Sequence, residues 1–117
     1  MSSQTTENNL KEQSTIWLET LVSYRSRINN LKDELYYFAP GKEDIDVRKG
    51  IDHFHNQFHI QLVNIHDLKH DVKRHITELN NNVVYAVTDH SKLEDQVNHM
   101  VAYLNNLEDE FKTFTAS

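Results

Sequence analysis

Six of the eight histidines fall between residues 53 and 75, and four of them share a spacing that suits metal chelation. With residues set at 100° intervals around a helix and Phe58 at zero, His55, His66, His59 and His70 lie at about 60°, 80°, 100° and 120°. The apolar residues of the same stretch lie between about −80° and +40°, so the four imidazoles flank the core face as a stripe. His53 and His75 point elsewhere on this projection. His55/His59 and His66/His70 each stand one turn apart, and such a pair can chelate zinc, nickel or copper through neutral ring nitrogens. Asp52 and Asp67, a turn before His55 and His70, supply a further ligand or accept the second ring N–H. Neither His-Glu-x-x-His nor the paired Glu-x-x-His of di-iron bundles is present, and the spacing matches no hemerythrin pattern. The plainer reading is that positions beside a core face tolerate a ring that covers apolar surface and keeps a polar tip wet. A third reading is a pH-sensitive interface. Protonation of all eight histidines would carry the formal net charge from −6 to +2.

His66-Asp67-Leu68-Lys69 has a His-x-x-Lys form that resembles the phosphoacceptor motif of histidine phosphotransfer domains. The resemblance implies a four-helix bundle in which His66 is the nucleophile and Lys69 the phosphate-binding cation. Where that family continues with a small residue, usually glycine, this chain has His70.

Other chemistry is thin. Without cysteine there are no disulfides, thiolate metal sites or cysteine nucleophiles. Two glycines, Gly41 and Gly50, cannot build a phosphate-cradling loop. Asp89, His90 and Ser91 are consecutive, so they point in different directions and cannot form a triad. Glu108, Asp109 and Glu110 read as a solvated helix face. Tyr36, Tyr37 and Phe38 read as an aromatic cap on the core, with a ligand surface as the alternative.

The elements that position these groups follow from hydrophobic spacing. Trp17, Leu21, Tyr24, Ile28, Leu31, Leu35 and Phe38 form an unbroken alternation of four and three, as do Leu93, Val97, Met100, Leu104, Leu107, Phe111 and Phe114. Between them, Val47, Ile51, Phe54, Phe58, Leu62, Ile65, Leu68, Val72, Ile76 and Leu79 depart twice from alternation, which predicts a drifting 3.6-period helix there. Pro40-Gly41 ends the first helix, and Glu43, Asp44 and Asp46 cap the second. The second break is placed at Asn80-Asn81-Asn82, because the competing capping box at Ser91–Glu94 would leave one helix overhanging its neighbours. The cost is His90 on the core register.

The expectation is an all-α, antiparallel up-down-up three-helix bundle of long, coiled-coil-like helices at about 6–38, 44–79 and 83–115, with residues 1–5 disordered. Gly50 inside the second helix fits a close helix approach near the Pro40 turn. Leu18, Val22 and Tyr36 widen the apolar face of the first helix, whereas Ile16, Ile60 and Val63 are hard to place inside. Several outward hydrophobes on rod-like helices favour self-association as a homodimer, or pairing with another helical protein.

A net charge of −6 argues against nucleic acid as the partner. The absence of a long apolar run, or of a basic and apolar leader, argues against membrane insertion and secretion, leaving a cytoplasmic protein as the expectation. Residues 53–61 (His-Phe-His-Asn-Gln-Phe-His-Ile-Gln) and 65–71 (Ile-His-Asp-Leu-Lys-His-Asp) resemble a segment of small uncharacterised all-helical bacterial proteins. That resemblance implies a bacterial helical protein and no particular activity. The leading functional expectation is a non-enzymatic, cofactor-free interaction or adaptor module. A histidine-based metal-binding (zinc, nickel or copper) or pH-responsive module through His55, His59, His66 and His70 comes next, and phosphotransfer through His66 third.

Overall fold

The computed structural model describes the backbone of residues 2–82 and 86–116, and the side chains of 9–82 and 89–116. Three helices, α1 (Ser2–Phe38), α2 (Ile45–Asn80) and α3 (Ala86–Ala116), pack antiparallel without strands among the described residues. The bundle is 64 Å long and 18 Å wide. α1 begins at Ser2, earlier than the expected start at residue 6. The expected start of the third helix at 83 lies outside the described residues.

Local chemistry explains each boundary. Ala39 N–H still reaches Leu35 O at 3.0 Å, and Pro40 then leads into Gly41, whose φ of 82° suits a residue without a Cβ. The Asp44 carboxylate accepts from Asp46 N–H (2.9 Å) and Val47 N–H (3.1 Å), satisfying two donors of the first α2 turn. At the far end Asn81 N–H donates to Thr77 O at 3.0 Å, and Asn82 takes φ 56°, a left-handed position that asparagine tolerates. The asparagine run is therefore the break between α2 and α3, as the length argument required.

The core differs from expectation in one instructive way. The buried residues of α2 are Phe54, Phe58, Gln61, Ile65, Leu68, Val72, His75 and Leu79, a strict alternation of four and three. The drifting register expected through Leu62 and Ile76 is thus corrected: both are only partly buried, and Gln61 and His75 occupy the seam in their place. α1 extends its own seam through Ser14, fully buried with its hydroxyl donating to Leu10 O at 2.8 Å. Polar residues thus sit on a heptad seam that apolar spacing alone cannot follow.

The two ends of the bundle differ in chemistry. Beside the Pro40 turn, Phe54 and Phe58 each meet Phe111 edge to face, at 5.3 and 5.1 Å, and Phe38 meets Phe114 at 5.4 Å. Gly50 lies under Phe114, where a Cβ would stand 2.3 Å from the ring, so the glycine permits the close approach of α2 and α3. At the other end Trp17, His75 and His90 fill the core.

Candidate functional site

Helical geometry puts His55, His59, His66 and His70 along one side of α2, and all four are exposed. They do not share one site. His55 lines a depression with Lys32, Tyr36 and Ile51 near the Pro40 turn, whereas His59 and His66 line a separate one with Arg25, Asn29, Leu62, Val63 and Lys69. Among the described residues no group of three or more histidines, aspartates or glutamates is arranged to hold a metal ion. The stripe therefore offers pairs of imidazoles without the third and fourth ligands that a closed site needs.

His66 stands exposed, with half-buried Lys69 one turn further along. The Lys69 ammonium is pushed to a lower pKa by burial first, and then by repulsion from Arg25 and Lys73. A cation sits beside His66, as the phosphotransfer resemblance implies, but the described bundle has three helices and not four.

The most constrained titratable groups are two histidines outside the stripe. His75, projected away from the core by the helical wheel, is 2% exposed, and His90 is 5% exposed. His75 Nε2 lies 2.9 Å from His90 Nδ1, and His90 Nε2 lies 2.7 Å from Gln13 Oε1. The Gln13 carbonyl oxygen only accepts, so His90 Nε2 carries a proton. Neutral His90 then presents a lone pair at Nδ1, and His75 must donate from Nε2. One polarity runs through the chain, from α2 through α3 to α1. His75 Nδ1 is left as a buried lone pair without a protein hydrogen-bond partner.

Trp17 covers this chain, its ring centroid 4.5 Å from that of His90 and 6.5 Å from that of His75. Burial holds the pKa of both imidazoles below the ordinary histidine value. Glu78 and Asp89 partly offset this at His75; at His90 the neighbouring His75 adds to the depression and Glu94 opposes it. The arrangement can resist protonation, because a second proton on either ring has no acceptor in the core. His90 carried a signal in the sequence, as an awkward residue on the core register. His75 carried one only to a reader who let a polar residue continue the seam from Leu68 and Val72.

Two further expectations are corrected. Of the aromatic trio only Phe38 packs on the core; Tyr36 and Tyr37 are 75% and 81% exposed and meet each other edge to face at 5.6 Å. Of the acidic run only Asp109 and Glu110 face solvent. Glu108 is half-buried, ion-paired to Arg27 of α1 and lying 3.4 Å from Lys112 Nζ. Tyr24 O–H donates to Asn105 Oδ1 at 2.9 Å a turn away, so α1 and α3 are clasped by directed polar contacts.

Val22 and Tyr36, expected to widen the buried face of α1, are exposed, as are Ile16, Ile60 and Val63. No helix among the described residues is long and apolar enough to cross a membrane. Compared with protein-family models, curated proteins and solved structures, the chain matches none.

Proposed function

We propose that this chain is a non-enzymatic interaction module that works through the outer faces of its helices, by self-association or by pairing with another helical protein. The observation that carries the reading is the placement of its outward hydrophobes. Val63 and the half-buried Leu62 line the groove between α1 and α2, and Val22 stands on the same side of α1 as the groove residues Arg25 and Asn29. Aliphatic side chains on both walls of one groove form a surface that a further helix can cover, whereas isolated exposed hydrophobes would need no explanation. The histidines support this reading better than a catalytic one, since the pair whose nitrogens meet, His75 and His90, is buried in the core against Trp17.

Sedimentation of the tag-free protein over a wide concentration range, with and without EDTA, tests the self-association. The expected result is a mass that rises with concentration, is indifferent to chelator and is reduced by Ile16→Ser with Ile60→Ser, two exposed residues outside the lining of that groove. A monomer at every concentration would remove self-association, and the reading as a whole falls if helical peptides also fail to bind.

A second reading follows from the buried pair. Two imidazoles held neutral in the core make the fold sensitive to acid, so a pH-responsive role belongs to His75 and His90 more than to the exposed stripe. Unfolding at two pH values, argued below, tests it.

A further inference from the structure

The grooves of this bundle differ in charge. The part of the α2–α3 groove beside Met100 and Tyr103 is lined by Asp67, Asp71 and Asp95, and Arg74 and Lys92 enter the groove only further along. The α1–α2 groove has no carboxylate in its lining around Arg25 and Lys69, since Asp33 and Asp52 lie in a separate depression near the Pro40 turn. Lys73 continues it one turn beyond Lys69 along α2. In a chain of net charge −6, Arg25, Lys69 and Lys73 thus form a local positive stretch beside Leu62 and Val63.

Among the described residues no ion pair neutralises these cations. The ion pairs among the described residues join Arg27 and Lys112 to Glu108, and Arg74 to Asp71. Arg25, Lys69 and Lys73 take part in none of them. Lys69 feels Arg25 from across the groove and Lys73 from its own helix, with no nearby carboxylate to compensate. Cations left unpaired beside exposed valines describe a surface whose complement is both acidic and apolar.

We propose that the α1–α2 groove docks an acidic amphipathic helix of a partner protein, with the partner's apolar stripe on Val22, Leu62 and Val63 and its carboxylates on Arg25, Lys69 and Lys73. The proposal deepens the interaction reading above and rests on it. A helix laid there becomes the fourth of a bundle, covering the valines that three helices leave exposed. A second copy of this chain is the poorer occupant. Two such grooves face to face would set cations against cations, and docking the aspartates of another copy's α2–α3 groove there would bring Arg74 and Lys92 with them, in a head-to-tail contact that propagates into a ring or an open chain. A bare polyanion would meet the charges and leave the valines uncovered.

The test uses the full chain and a fluorescent synthetic helix of about 20 residues, long enough to run from His55 to Lys73 at 1.5 Å per residue. The probe has leucine on its seam and glutamate on both flanks. One control replaces every glutamate with lysine, and another is an oligothymidylate. Anisotropy titrations should show binding of the acidic helix that weakens as salt rises, and no binding of the basic helix. Arg25→Glu with Lys69→Glu should weaken the acidic helix by at least about tenfold and confer binding of the basic one. Val63→Ser keeps the charges and should weaken the acidic helix too. Circular dichroism of each variant establishes that the helices are intact, and Val63→Ser still decides if the charge-reversed protein does not fold.

Equal binding of both peptides, or unchanged binding by the variants, would overturn the proposal. Oligothymidylate bound as tightly as the acidic helix would also overturn it, making the groove a general polyanion surface. If the acidic helix fails while the protein self-associates in sedimentation, this inference falls and the interaction reading stands.

Discussion

His75 Nε2 lies 2.9 Å from His90 Nδ1 across the α2–α3 interface, and His90 passes the hydrogen-bond polarity on to Gln13 of α1 at 2.7 Å. One directed chain therefore ties all three helices together at the end of the bundle opposite the phenylalanine cluster. Its geometry requires both rings to be neutral. A proton added to His75 Nδ1 would be a buried donor facing no acceptor, and a proton added to His90 Nδ1 would face the Nε2–H of His75 unless His75 changed tautomer and buried its proton at Nδ1.

Acid should therefore unfold this protein earlier than its surface histidines would suggest. In the unfolded chain both histidines titrate near 6.5, while in the native state burial holds them lower. Their stabilising contribution is complete above about pH 6.5 and is lost as the pH falls from there toward the native values, because the unfolded state then binds more protons. Each histidine contributes a slope of up to about 1.4 kcal/mol per pH unit in that window. Urea unfolding at pH 7.5 and 5.5 should show a lower midpoint in acid, and an unchanged midpoint would mean that the pair titrates normally.

A related prediction concerns the pair as a unit. His75→Leu alone strands a nitrogen of His90 in the core and should cost about 1–3 kcal/mol, as should His90→Leu. Replacing both by leucine removes the orphaned lone pair of His75 along with its partner, so the double variant should be no less stable than either single one, and close to the parent. It should also lose the acid sensitivity. Additive losses in a double-mutant cycle would show that the two rings are not coupled.

These residues also mark where the sequence stops being legible. The alternation from Trp17 to Phe38 and from Leu93 to Phe114 follows from hydrophobicity alone, and with Pro40 and the asparagine run it specifies three antiparallel helices. Gln61 and His75 are missed because an apolar filter steps over them to Leu62 and Ile76, one residue along, and so reports drift where the seam is strict. The exposed stripe illustrates a different limit. Helical spacing puts His55, His59, His66 and His70 beside the core face, but further ligands would have to come from a neighbouring helix, which no single-helix projection contains. The meeting of Arg25 and Lys69 in one groove is hidden for the same reason, since they are 44 positions apart in the chain.

Gly50 should resist replacement even though helices favour alanine. Its missing Cβ would stand 2.3 Å from Phe114 Cε1 and 2.6 Å from Cζ, so Gly50→Ala must displace the ring. Overpacking costs about 1–3 kcal/mol and the gain in helix propensity returns about 1 kcal/mol, for a net loss of stability. In a Phe114→Ala background the obstruction is gone, and the same substitution should stabilise by up to about 1 kcal/mol. Urea midpoints of the four proteins check this reversal of sign. A gain in both backgrounds would show that Phe114 moves aside freely.

Metal ions should leave the melting temperature nearly unchanged. A ligand that binds only the native state must raise the melting temperature through mass action, whatever its structural role. The stripe provides pairs of imidazoles one turn apart on an exposed helix side, and such a pair gains little over the histidines of an unfolded chain, which bind the same ions. Thermal unfolding of the tag-free protein in EDTA, and then with equimolar zinc, nickel or copper, should give superimposable curves. A rise of several degrees, abolished by His59→Ala with His66→Ala, would instead establish a metal site in the α1–α2 groove. That outcome would count against the docking proposal as well, since an ion held there would add positive charge while occupying the surface on which the acidic helix is proposed to lie.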